Sequence, residues 1–297
     1  QQLITIISST NQSAMIDFKL IERFLEFEPN LFEIVLKVIY QKNEQEEIRL
    51  RIWMDGFDKY FDKLGSNIEL IKKVYLQQDL VDNHWDYDGK GFMKILVNDL
   101  SFLIEYVDSV VARKDFNSYG SDHRDLIFIW NIDNIETILE ELFNSKINKK
   151  RYYLNISHFF EELFFKNLQG EAKNKAEIFL IKYAQSNHNN SQKMNVVVEI
   201  VRNSLKGIFE KILLQHISLN QDIKVFQNIW WRGNGGFYSG EVIIGDIEAN
   251  DWKNISSIIE KSDVGIKLMP IKKYVNDKYE HSLKRGDEER RARFLTR

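Results

Sequence analysis

The sequence predicts a mainly α protein: a HEAT- or TPR-like array of antiparallel helical hairpins, an α-solenoid. Three observations predict it. Apolar residues recur at spacings of three and four along most of the chain. Only two prolines, Pro29 and Pro270, interrupt 297 residues, so little opposes long helices. Short polar breaks separate the apolar segments, as antiparallel helix pairs require. One stretch near 225–244 departs from this pattern and is expected to form a small β-hairpin or an irregular insert.

The elements follow in order. Over 16–40, Ile16, Leu20, Ile21, Phe24 and Leu25 share one helical face, and Leu31, Ile34, Val35, Val38 and Ile39 share another beyond Pro29. The same periodicity predicts helices over 45–64, 67–82, 91–113, 132–148, 157–168, 171–186 and 191–217. Gly65-Ser66-Asn67, Asp88 to Gly91, Ser118 to Asp122 and Ser186 to Ser191 are the intervening breaks. Val225–Arg232 and Phe237–Ile244 are rich in β-branched and aromatic residues, and Gly233-Asn234-Gly235-Gly236 lies between them. Asn-Gly tolerates the positive φ of a tight hairpin turn. Helices over 250–261 and 268–293 complete the chain, with Asp251 and Pro270 placed to open them. No exact repeat consensus is present, so the repeats are degenerate. The expected organisation is a hairpin array over 1–170, then terminal helical pairs with the aromatic insert and a capping C-terminal helix over 171–297.

Composition narrows the function. Hydrophobic residues make up 43% of the chain, enough for a sizeable core, and no apolar run reaches the length of a membrane span. The net charge of -3 argues against a nucleic-acid-binding repeat, which needs a basic excess along the phosphate backbone. There is no cysteine, which excludes disulfides, thiol nucleophiles and thiolate zinc sites and fits a cytoplasmic location. The chain starts with Gln1-Gln2 rather than Met, which fits either a piece of a longer protein or a chain given without its ends.

Each motif that hints at chemistry fails at a defined position. Gly235 and Gly240 have the spacing of a phosphate-binding loop, but Glu241 stands where the lysine must be, and Tyr238 occupies the third glycine of a dinucleotide fingerprint. Asp82, His84, Asp86, Asp88 and Gly89 suggest a calcium loop, yet His84 and Ile95 fall at its two end-ligand positions. Helix-capping aspartates are the better reading there. Asp246, Asp251 and Lys253 suggest a metal-dependent nuclease, whose carboxylates must converge from adjacent strands. Asp251 to Lys253 instead reads as a helix start. The six histidines are scattered, with no i, i+4 pair. No catalytic residue, cofactor site or metal site is therefore assigned, and the chain alone is expected to be no enzyme. The most unusual cluster is Phe226, Trp230, Trp231, Arg232, Phe237 and Tyr238. Such residues are enriched at binding hot spots, but capping the open end of a helical core is the favoured reading.

The C-terminal third resembles the end of the helical-repeat region of large bacterial STAND-type NTPases, including the Avs-like antiphage group. The resemblance covers about 171–297. It rests on the helix from Ser191 to Asn203, the stretch Leu219 to Phe226, the insert Trp230 to Gly240, and a final helix opening near Pro270 and ending in a basic run before Phe294. It implies a sensor or scaffold for phage or other protein ligands, with the NTPase on an upstream portion, since this chain has no Walker motif. A stand-alone nuclease and a nucleic-acid-binding repeat are the alternatives.

Overall fold

A computed structural model describes residues 15–16, 23, 27, 31–45, 51–52, 67–79, 86, 89–112, 126–147, 156–220, 222–230, 243–261 and 268–295. The chain divides into two compact units. One comprises Gln1–Leu142 with Tyr153–Asn155 and Glu162–Leu168; the other comprises Phe143–Tyr152, Ile156–Glu161 and Gln169–Arg297. Helix dominates both.

In the first unit, β1 (Met15–Ile16) pairs in parallel with β2 (Arg51–Ile52), with Ile16 opposite Ile52. This corrects the helix expected over 45–64 at Arg51–Ile52, and the helical reading of Ile16, where β-branched Ile16 and Ile52 pair in a ladder. Helix α1 (Leu31–Gln45) buries Val35, Leu36 and Ile39 against α2 (Ile68–Asp79). The two run parallel: Asn67 Nδ2 donates to Glu33 Oε1 at one end, and Gln77 Nε2 to the Tyr40 carbonyl at the other.

The single helix expected over 91–113 is two, α3 (Lys90–Asn98) and α4 (Phe102–Ala112). Asp99 is extended at the break, and its carboxylate accepts from the Ser101 N–H at 3.0 Å and the Ser101 hydroxyl at 2.6 Å. That is a capping geometry, and it starts the new helix. Tyr75, Phe92, Phe102 and Tyr106 meet edge-on or tilted at the centre, with ring centroids 4.9 to 5.7 Å apart. A 3-10 turn (Ile127–Asn131) and α5 (Ile135–Ile147) follow, α5 belonging to the first unit as far as Leu142. Trp130 Nε1 donates to the Phe164 carbonyl at 2.7 Å.

The second unit contains α6 (Ile156–Phe160), and the π-helical turn that follows (Glu161–Phe165) belongs to it only at Glu161. Then come α7 (Gly170–Ser186), α8 (Ser191–Asn203), a 3-10 turn (Lys206–Ile208), α9 (Phe209–Leu219), α10 (Ile223–Trp230), α11 (Ile244–Lys261) and α12 (Met269–Leu295). The helix expected over 191–217 is thus also broken. Buried Glu161 accepts from Asn203 Nδ2 at 2.8 Å and Ser204 Oγ at 2.6 Å, holding the C-terminus of α8 where the chain turns.

Helices of this unit pack in alternation. Helix α8 packs on α6 and α10, and α10 on α12; likewise α9 packs on α7 and α11. The final pair is antiparallel, as Glu248–Arg285 and Ser256–Asn276 contacts require, and forms the most extensive helix–helix interface in the unit.

The first arm of the expected hairpin is helical: Val225 to Trp230 belong to α10. Val225, Phe226, Ile229 and Trp230 follow a spacing of one, three and four that a helix places on one face, and Phe226, Ile229 and Trp230 are buried. The second arm, 237–244, lies outside the described residues except Ile243 and Ile244, and Ile244 opens α11.

Candidate functional site

Each residue singled out from sequence has a definite place or falls outside the described set. Phe226 is fully buried and Trp230 is 1% exposed. Their rings stack at 6.0 Å. Phe209 meets Trp230 edge-on at 5.6 Å, and Tyr274 links Phe226 to Trp252. Both side chains are therefore core of the second unit. Trp231, Arg232, Phe237 and Tyr238 lie outside the described residues, as do Gly233, Gly235, Gly236 and Gly240.

Asp246 sits in the first turn of α11 and pairs with Arg290 of α12. Asp251 lies within α11 and does not open it, because the helix begins seven residues earlier at Ile244. Lys253 is exposed on the same helix. One helix carries all three residues, so the adjacent-strand geometry of a two-carboxylate metal site is not formed. Of the suspected calcium loop, Asp86 and Gly89 are described. Asp86 is buried and accepts from Gly91 N, Phe92 N and the Tyr75 hydroxyl at 2.8 to 3.1 Å. It caps α3, and Gly89 turns with φ 68° where a side chain would meet Phe128. Among the described residues, no cluster of three His, Cys, Asp or Glu is arranged to hold a metal. No described helix is long and apolar enough to cross a membrane.

Two charged or polar centres stand out that sequence inspection did not single out. In the first unit, Lys72 is 3% exposed and binds Asp99 Oδ2 at 2.7 Å, Glu69 Oε1 at 3.1 Å and Glu105 Oε1. Desolvation pulls this lysine's pKa down, but the hydrogen bonds to Asp99, Glu105 and Glu69 outweigh it and hold it above the ordinary lysine range. This centre clamps α2 to the α3–α4 break.

The second is a cleft of about 510 Å³ in the second unit, between the turn that follows α8 and the outer face of α11. Its walls carry Arg202, Lys206 and Lys261 as cations, Glu210 and Asp251 as anions, and Asn254 as an amide. The Arg202 guanidinium lies over the Phe209 ring, 5.8 Å from its centroid. Desolvation lowers its pKa, opposed by the nearby charges of Asp251 and Glu199. The break after Asn203 makes this cleft, because a continuous helix over 191–217 would carry Lys206, Gly207 and Phe209 past it. Arg202, Lys206 and Lys261 are far apart in sequence or separated by the unforeseen turn, so spacing gave no signal for them.

No protein-family model, curated protein or solved structure matches the chain.

Proposed function

We propose that this chain is a non-enzymatic helical-repeat interaction module, the sensing portion of a larger bacterial STAND-type NTPase that recognises a phage protein or another protein ligand. The observation that supports this reading is the alternate packing in the second unit: α6, α8, α10 and α12 touch in one succession, and α7, α9 and α11 in another. Stacked hairpins of an α-solenoid pack in this way, each repeat touching its neighbours and presenting a continuous face to a partner. Phe226 and Trp230 are buried between α9, α10 and α12, inside the array and away from any partner-facing surface. A metal-dependent nuclease is less well supported, since Asp246 and Asp251 share one helix and Asp246 is engaged by Arg290.

In the full native protein, ATP turnover should rise on addition of lysate from phage-infected cells and lose that rise when residues 169–297 are deleted. The isolated chain should turn over neither ATP nor nucleic acid. A native gene with no NTPase upstream, or metal-dependent cleavage of nucleic acid by the isolated chain that Asp246→Ala abolishes, would overturn the proposal.

A further inference from the structure

We infer that the cleft between Lys206 and Lys261 is a binding site for a small phosphorylated polyol, a sugar phosphate or nucleotide, whose phosphate is held by Arg202, Lys206 and Lys261. The volume of about 510 Å³ lies within the range of small-molecule sites. Three cations and two carboxylates line it, and the carboxylates are not equivalent. Asp251 lies near Arg202 and balances part of its charge, whereas Lys206, Lys261 and Glu210 form no ion pair among the described residues. Two cations thus face the cleft with their charge uncompensated by a direct partner.

A guanidinium supplies a planar fork that matches two phosphate oxygens, and an ammonium adds an adjustable point charge. Arg202 is partly buried and rests over Phe209, which lowers the entropy lost when it engages a ligand. Glu210, Asn254 and Ser257 also line the cleft and provide acceptors and donors suited to hydroxyl groups, which a bare anion would not use. This is why a phosphorylated polyol fits better than inorganic phosphate. Lys206 and Lys261 approach from opposite walls, one from the turn before α9 and one from the end of α11, so a bound phosphate would bridge the two elements.

Isothermal titration calorimetry of the whole chain, at constant ionic strength, tests the site with ribose 5-phosphate, AMP, inorganic phosphate and succinate. Ribose 5-phosphate and AMP should bind with Kd below about 1 mM and more tightly than inorganic phosphate or succinate. The double substitution Lys206→Glu with Lys261→Glu changes two exposed side chains and should weaken binding on the order of tenfold or more, with the circular dichroism spectrum unchanged. Absence of binding by both phosphorylated probes, equal binding of ribose 5-phosphate and inorganic phosphate, equal binding of succinate, or undiminished binding by the double variant would each overturn the assignment.

Discussion

Glu289 Oε2 accepts the backbone N–H of Ile244 at 2.7 Å and that of Gly245 at 3.4 Å, across 45 and 44 residues of sequence. The first N–H groups of a helix have no partner within it, and a carboxylate also complements the positive end of the helix dipole. The cap of α11 therefore comes from α12, and the same carboxylate binds Arg285 Nε through its other oxygen at 3.0 Å. Removing it should unfasten the start of α11 from α12. Glu289→Ala is expected to cost roughly 0.5–2 kcal/mol in urea denaturation, the usual loss for a helix cap. Glu289→Gln, which keeps an acceptor, should recover part of that loss.

Next to this cap, α11 and α12 cross at Gly245 and Gly286. A Cβ on Gly245 would stand 2.6 Å from the Gly286 Cα and 2.7 Å from the Ser282 carbonyl oxygen. These neighbours are backbone atoms and cannot rotate aside. Gly245→Ala is expected to destabilise the protein by about 1–3 kcal/mol or more despite alanine's better helix propensity. Thermal melting of Gly245→Ala beside Lys253→Ala, a change at an exposed residue of α11 away from the crossing, measures it. An unchanged melting temperature for Gly245→Ala would mean that the helices do not cross so closely.

Trp230 is almost wholly buried among Phe209, His216 and Phe226. Replacing it by Ala should cost on the order of 3–5 kcal/mol, the loss of a large core aromatic and the cavity it leaves. A stability change under about 0.5 kcal/mol would instead mark an exposed ring. Urea denaturation distinguishes the two outcomes.

His216 is 1% exposed beside Trp230, and neither ring nitrogen has a hydrogen-bond partner. Desolvation first, and the charge of His188 second, push its pKa down from 6.5 to about 4. The unfolded chain binds this proton more readily than the folded one, so the neutral histidine supports the fold above pH 6.5 and that support fades as pH falls from 6.5 towards 4. Between pH 7 and pH 5 the loss from this one group is roughly 2 kcal/mol. His216→Leu should therefore flatten the fall of melting temperature over that window relative to the unchanged chain. An identical pH profile for the two proteins would show that the imidazole is not buried in its neutral form.

Helix type and most helix positions were legible because an amphipathic helix writes its period into the sequence. The runs at 67–82, 132–148 and 171–186 correspond to α2, α5 and α7 within a few residues, and Pro270 lies in the first turn of α12. Asp86 was readable as a capping aspartate because acids just ahead of a helix start accept its free N–H groups. Periodicity fails where a helix must stop without a proline. The breaks at Asp99 and after Asn203 preserve apolar spacing on both sides and are fixed by distant partners: Lys72 on Asp99, and Glu161 on Asn203 and Ser204. Aromatic and β-branched composition also misled at Val225 to Trp230, where burial of one helical face overrode strand preference.

What the sequence determined by itself was the helical class and the scale of the core, since both follow from local spacing and composition. Only tertiary structure decided which helices pack in alternation, that α11 takes its cap from Glu289, and that Arg202, Lys206 and Lys261 line one cleft. The physical reason is range. Apolar periodicity is a property of neighbours along the chain, whereas a carboxylate 45 residues away or a lysine on another helix reaches its partner only after the turns between them have been set.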